Sequence, residues 1–74
     1  MLLSKKLLRQ IFGINKVAIS RRALREKYFT DSIIAEIGLS IEEYRKRRQF
    51  TYEESQKIIE VFQIEPIELQ EIFS

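Results

Sequence analysis

Apolar residues recur every three or four positions along most of the 74-residue chain, which is the spacing of a helix face rather than the alternation of a strand. Residues 2–12 show this spacing first, with leucines on one side and Lys5, Lys6 and Arg9 on the other. The pattern predicts an amphipathic helix that ends at the following glycine, and its basic face is either solvated or in contact with phosphate. Residues 14–19 lack the period and are interpreted as a connector.

A second helix is predicted over residues 20–29, because Ser20 has the position of an N-cap and apolar residues follow at helical spacing. The residues expected to face the core are Ala23, Leu24, Tyr28 and Phe29. The basic side chains expected to point outward are Arg21, Arg22, Arg25 and Lys27. Positive charge in the first turn opposes the helix dipole, and a bound anion would relieve that cost. These residues therefore either contact phosphate or form a solvated face.

The middle of the chain predicts two short helices joined by a tight turn. The first covers residues 31–37, and Gly38 can adopt the positive φ that ends a helix. Ser40 and Glu43 have the spacing of a capping box, so the second helix is expected to begin at Ser40. That helix is expected to end in the four consecutive cations of residues 45–48, which either complement the helix dipole or bind nucleic acid.

The last third of the chain predicts two more helices. Thr51 and Glu54 repeat the capping-box spacing before a helix that has Tyr52 among its apolar positions. Pro66 cannot continue that helix but suits the first turn of another, which predicts a closing helix over residues 66–73. The apolar residues of the closing helix either form a dimer or partner surface or close the monomer core. These residues are Ile67, Leu69, Ile72 and Phe73.

A helix, a glycine turn and a cationic helix form the outline of a helix-turn-helix DNA reader. Over residues 24–73 the chain resembles the lambda-repressor-like family, the Cro and repressor-type regulators of phages and mobile elements. The matching positions are LREK at 24–27, Thr30, AEIGLS at 35–40, FTYEE at 50–54, Ile58, Ile59, Phe62, Ile64, EL at 68–69 and IF at 72–73.

The helical pattern and the resemblance together imply an all-α fold, a small bundle of about five to six short helices that contains a helix-turn-helix. The whole chain is expected to form one domain, because a chain of this length has a single small core. Within it, residues 1–19 would supply an N-terminal helix and connector, and residues 20–74 the Cro/repressor-like core.

The charged residues are distributed unevenly, although the net charge is only +2. Residues 1–29 contain eight Lys or Arg against one Glu, whereas residues 53–74 contain one Lys against six Glu. Such polarity favours an anionic partner on the basic face. The chain has no His and no Cys, so the commonest general base, the thiol nucleophile and the usual transition-metal ligands are missing. We therefore expect no enzyme activity, no cofactor and no metal.

No apolar run approaches the roughly 20 residues of a membrane span, and charges interrupt the apolar residues of the N-terminus. The absence of cysteine is compatible with a reducing cytoplasm. The sequence thus predicts a cytoplasmic protein with no membrane partner and no evident small-molecule ligand.

The first functional hypothesis is a DNA-binding transcriptional regulator of a phage or mobile element. Basic helices, including Lys5 and Lys6, would neutralise phosphates of double-stranded DNA, and the helix starting at Ser40 would contact bases. Arg45 is the expected reader, because one arginine can bind guanine through two hydrogen bonds. A small domain binds weakly alone, which favours a homodimer on a palindromic site. The predicted DNA-binding residues are Arg21, Arg22, Arg25, Lys27, Ser40, Glu42, Arg45, Lys46, Arg47, Arg48 and Thr51.

The second hypothesis keeps the helix-turn-helix fold but directs it against another protein. Glu42 and Glu43 fall where base-contacting residues would be expected, and carboxylates are repelled by phosphate. An anti-repressor-type modulator that binds a partner regulator would use these residues, the acidic last third and the apolar closing helix. The exposed face of the helix starting at Ser40 distinguishes the two hypotheses, since DNA reading requires Arg45 to lie on it.

Overall fold

The computed structural model describes residues 2–13 and 17–65. This part of the chain contains five helices, which are α1 (Lys5–Ile11), α2 (Arg21–Ala23, continued as the π-helical segment Leu24–Tyr28), α3 (Asp31–Ile37), α4 (Ile41–Lys46) and α5 (Tyr52–Phe62). No strand occurs among these residues beyond a single β-bridge, so the predicted all-α class is confirmed. The predicted closing helix and its surface of Ile67, Leu69, Ile72 and Phe73 lie outside the described residues.

Serine and threonine side chains mark where these helices begin. Each N-cap residue lies in extended conformation, and its hydroxyl accepts a hydrogen bond from a free backbone N–H of the first turn. The N-caps are Ser4, Ser20, Thr30, Ser40 and Thr51. Both predicted capping boxes form, with Glu43 and Glu54 reaching back to the cap residues. Local sequence therefore determines where each helix starts.

The second half of α2 differs from the regular helix that the pattern predicts. The Phe29 N–H donates to the Leu24 carbonyl at 2.9 Å, a hydrogen bond across five residues that widens the helix into a π-turn. Leu24 is 1% exposed and Phe29 is fully buried. A regular α-helix would place these two side chains about 140° apart, because they are five residues apart. The wider turn brings both of them into the core.

The turn between α3 and α4 follows the prediction, but the end of α4 does not. Gly38 has φ 96° and closes α3 in the left-handed conformation. Leu39 and Tyr44, before and after the start of α4, are both buried. The predicted helix through residues 45–48 is too long, because α4 ends at Lys46 and Arg47 is extended. The chain leaves the helix there to run beside the N-terminal segment.

One apolar core joins the described helices. Leu3 and Leu8 are fully buried, as are Phe29 and Ile58, and Phe50 is 1% exposed. The rings of Phe29 and Phe50 lie nearly parallel, with their centroids 6.0 Å apart. The N-terminal segment is therefore part of the common core, and this places α1 beside the end of α4.

The inward face of α5 differs from the one that apolar spacing predicts. Tyr52 is 60% exposed, whereas Ser55 is completely buried. The Ser55 hydroxyl accepts a hydrogen bond from the backbone N–H of Leu3 at 2.9 Å. A small polar side chain at this position lets the N-terminal segment approach α5 and satisfies a buried donor that would otherwise be unpaired.

No helix within residues 2–13 and 17–65 combines the length and the apolar character needed to cross a membrane.

Candidate nucleic-acid interface

Backbone hydrogen bonds tie the start of the chain to the segment that follows α4. Ser4 and Gln49 form an antiparallel bridge. On either side of it, the Phe50 N–H donates to the Leu3 carbonyl at 2.8 Å and the Lys5 N–H donates to the Arg48 carbonyl at 3.0 Å. Two basic runs that are about 40 residues apart along the chain therefore become neighbours in space.

The neighbouring runs enclose a groove of about 650 Å³, which we call the cationic groove. In the part of the chain that the structure describes, every residue that lines it is Lys or Arg. The lining residues are Lys5, Lys6, Arg9, Arg21, Arg45, Lys46, Arg47 and Arg48. An anion in this groove would meet positive charge from α1, from the start of α2 and from the end of α4.

Lys5 lies at the inner end of the groove and connects α1 to α4. Its Nζ donates to the backbone carbonyl of Tyr44, is 3.5 Å from that of Arg45, and stands 4.0 Å from the centre of the Tyr44 ring. Burial lowers the pKa of Lys5, and the positive charge of Arg21 lowers it further. Lys5 thus stabilises the last carbonyls of α4, where positive charge is favourable.

Few carboxylates lie close to the groove cations. Arg47 pairs with Glu54 at 3.1 Å. Its Nε is buried without a hydrogen-bond partner among the described residues. Arg9 uses its Nε to donate to the Ile19 carbonyl at 2.6 Å, which holds it against the connector. Within residues 2–13 and 17–65, Arg47 is the one groove residue that forms an ion pair. The exposed cations of the groove without such contacts can meet an external anion, and they are Lys6, Arg21, Arg45, Lys46 and Arg48.

The structure separates the predicted cations of α2 from one another. Arg21 lines the groove, whereas Arg22 pairs with Glu26 on the exposed side of the helix at 2.8 Å. Arg25 donates to the Phe29 carbonyl at 2.7 Å and pairs with Asp31 at 2.6 Å. Lys27 is exposed but is not part of the groove lining. Of the four predicted α2 contacts, Arg21 lines the groove with residues 45–48, whereas Arg22, Arg25 and Lys27 do not.

The first turn of α4 carries carboxylates outside the groove. The Glu43 carboxylate accepts from the Ser40 N–H at 3.1 Å, and the Ser40 hydroxyl accepts from the Glu43 N–H at 3.1 Å. Hydrogen bonding of the Glu43 carboxylate to the backbone N–H and the side chain of Ser40 lowers the pKa of Glu43, and the positive charge of Arg47 also lowers it. Glu42 is exposed, as are Arg45 and Lys46. Arg45 is thus on the solvent face of α4, but at its last turn rather than its first.

Thr51 occupies the start of α5 and is used for capping. Its hydroxyl accepts from the Glu54 N–H at 3.2 Å, while the Glu54 carboxylate accepts from the Thr51 N–H at 2.9 Å. Thr51 does not line the groove. The Glu54 carboxylate already accepts from the Thr51 N–H, which is therefore not free to bind a phosphate. By its position outside the groove, Thr51 is also separated from the predicted DNA contacts that line it.

A smaller cavity of about 240 Å³ adjoins the groove and shares Lys5, Arg21 and Arg45 with it. Leu24, Arg25 and Tyr44 complete its lining. The Lys5 ammonium group lies over one face of the Tyr44 ring, and the Tyr44 ring stacks against Phe29 with 5.0 Å between the ring centroids. Burial raises the pKa of Tyr44 to about 12, and the positive charge of Arg25 opposes that shift.

Sequence reasoning named Lys5 and Lys6 as phosphate contacts but did not place them beside residues 45–48. For Arg9 the sequence predicts a place on the basic face of the first helix, and the structure adds that it lines the groove. The sequence carries no local signal for this juxtaposition, because like charges repel and the two runs are brought together by the backbone pairing of Ser4 with Gln49. Among the described residues, no group of His, Cys, Asp and Glu could hold a metal ion.

Comparisons of the chain with family models, with curated proteins and with solved structures give no match.

Proposed function

We propose that this protein is a small DNA-binding transcriptional regulator of the Cro or repressor type, from a phage or mobile element. The observation that carries the proposal is the cationic groove, in which every described lining residue is Lys or Arg. A duplex presents one negative charge per about 1.7 Å of its axis and releases counterions when cations bind it. A concave surface of this charge density matches such a polyanion.

The lining of the groove favours an extended polyanion over a small metabolite. Pockets for small molecules are lined mainly by apolar and aromatic groups, with a few polar groups that orient the ligand. No apolar residue lines the cationic groove within residues 2–13 and 17–65. The repulsion among its unpaired charges would be relieved by several phosphates at once, and this is the chemistry of a nucleic-acid backbone.

Roles for individual residues follow from their positions in the groove. Arg45 is exposed on α4 and can reach a base edge, where one arginine can bind guanine through two hydrogen bonds. Lys46 and Arg48 would hold phosphates, since they lie at and beyond the end of the helix. Two-fold pairing on a palindromic site would supply the affinity that one small domain lacks, and such a regulator would act in the cytoplasm.

The proposal is tested by fluorescence anisotropy of a labelled duplex of random sequence over a series of salt concentrations. We expect binding at low salt, and the logarithm of the association constant should fall linearly with the logarithm of salt concentration, by about 0.9 for each phosphate contacted. A neutral fluorescent polymer of similar size serves as the negative control. A wild-type protein that fails to bind the duplex at low salt would exclude this function.

A second candidate is a modulator that binds another regulatory protein through the first turn of α4. Ile41 is 37% exposed there, beside the exposed carboxylate of Glu42. An apolar side chain next to a negative charge is suited to a basic protein surface and is unfavourable beside phosphate. Substituting Ile41→Ser would abolish capture of a partner regulator in this case and would leave duplex binding unchanged.

A further inference from the structure

We propose that the backbone of one DNA strand lies in the cationic groove between α1 and residues 45–48, so that α1 is itself part of the DNA-binding surface. This inference rests on the proposed function. It assigns to the N-terminal helix α1 three of the eight described lining residues, Lys5, Lys6 and Arg9, and it moves the DNA away from the first turn of α4.

The groove has two walls, α1 on one side and residues 45–48 on the other, and each wall presents an exposed cation to the groove. Lys6 is exposed on α1, and Arg48 is exposed on the segment that follows α4. The Lys5 N–H and the Arg48 carbonyl are joined by a 3.0 Å backbone hydrogen bond, which holds the two walls at a fixed separation. A phosphate chain that enters the groove therefore contacts both walls together.

The arrangement of α4 supports contact at its last turn. In many helix-turn-helix proteins the N-terminal residues of the second helix contact base edges. Here that turn carries Glu42 and Glu43, and neither lines the groove. Phosphate would be repelled at the first turn and attracted at the last, so the electrostatic gradient along α4 directs the backbone toward the groove.

Lys5 acts as a positioning residue in this arrangement. Its ammonium group is engaged with the Tyr44 and Arg45 carbonyls and with the Tyr44 ring. These contacts connect α1 to the end of α4. Replacing Lys5 would thus alter the separation of the walls, whereas replacing Lys6 would remove one external charge.

The test compares single charge removals inside and outside the groove. Lys6→Gln and Arg48→Gln each remove one charge, from opposite walls. Lys27→Gln and Lys57→Gln are matched controls, because both side chains are exposed and neither lines the groove. Duplex binding is measured across the same salt series, and far-UV circular dichroism and urea unfolding verify that every variant is folded.

We expect the salt slope to fall by about 0.9 for Lys6→Gln and by about 0.9 for Arg48→Gln, with the slopes of the two controls unchanged. If Arg48→Gln lowers the slope and Lys6→Gln does not, α1 lies outside the interface and the inference is wrong, while the proposed function stands. Equal losses in all four variants would also overturn it, because they would indicate attraction by total charge. Absence of wild-type binding would instead reject the proposed function itself.

Discussion

Two arginines of α2, Arg22 and Arg25, form ion pairs with nearby carboxylates, whereas most cations of the groove form none among the described residues. Arg22 and Glu26 are four residues apart, and Arg25 and Asp31 are six apart, so both pairs form within one stretch of chain. Among the groove cations, Arg47 alone has such a partner within residues 2–13 and 17–65, and that partner is Glu54. The α2 pair of Arg22 and Arg25 and the lining of the cationic groove are both basic, but they differ in how much of their charge is already neutralised by carboxylates.

This difference shows that a run of basic residues is not by itself a binding site. The Arg22–Glu26 pair lies within α2, and the Arg25–Asp31 pair joins α2 to the first residue of α3. Both pairs are therefore local in sequence, and such surface pairs contribute little stability. The groove requires α1 to dock against the end of α4, because its two walls come from distant parts of the chain. Changes that undock α1 should therefore disperse the groove and leave the α2 pairs intact.

The largest effect is expected from Leu3→Ala. Leu3 is fully buried, and its removal leaves a cavity where the N-terminal segment meets the core. The free energy of unfolding should fall by about 2–5 kcal/mol, measured by urea denaturation, and duplex binding should weaken in parallel. The neighbouring Leu2 is 46% exposed, so Leu2→Ala is a matched control with a loss below about 1 kcal/mol. Similar losses in both variants would contradict the docking of α1.

A smaller loss is expected from Ser55→Ala. The substitution leaves the buried N–H of Leu3 without its acceptor, which should lower the free energy of unfolding by about 1–3 kcal/mol. Ser32→Ala on the exposed face of α3 is the control and should change the stability by less than about 0.5 kcal/mol. A stability for Ser55→Ala equal to that of the wild type would show that this hydrogen bond does not hold the N-terminal segment.

Tyr44 lies between Lys5 of the groove and Arg25 of α2. The ionisation of its hydroxyl changes the stability of the protein in alkali. Its pKa is raised from 10.0 to about 12, so above pH 10 the unfolded chain loses a proton that the folded chain keeps. The Tyr44 contribution is therefore present below about pH 10 and is lost as the pH rises toward 12. The free energy of unfolding of wild type should decline more steeply over this interval than that of Tyr44→Phe. Tyr52→Phe, at an exposed position, is the control, and identical curves for wild type and Tyr44→Phe would refute the assignment.

The smallest effect is expected from Arg22→Gln. The side chains of Arg22 and Glu26 are 86% and 59% exposed, so breaking their pair should cost only about 0.3–0.5 kcal/mol. Duplex binding should stay close to that of wild type, because the Arg22 charge is paired and outside the groove. Lys46→Gln should give the opposite result, with unchanged stability and a reduced salt slope. A larger binding loss in Arg22→Gln than in Lys46→Gln would reverse the comparison between the clusters.

Sequence alone determined the local features of this protein. Ser20, Ser40 and Thr51 begin helices because their hydroxyls satisfy free N–H groups of the first turn. Gly38 ends α3 because it adopts positive φ at little cost. These features depend on residues that are only a few positions apart, so a short stretch of sequence is enough to predict them.

The tertiary structure alone decided which cations became neighbours. The pairing of Ser4 with Gln49 ends α4 at Lys46 and turns residues 47 and 48 toward α1. Burial of Ser55 rather than Tyr52 follows from the same docking. No local pattern specifies these outcomes, because they depend on which distant backbone groups satisfy one another when the core closes. The sequence thus predicted two basic runs, and the packing of α1 made them one groove.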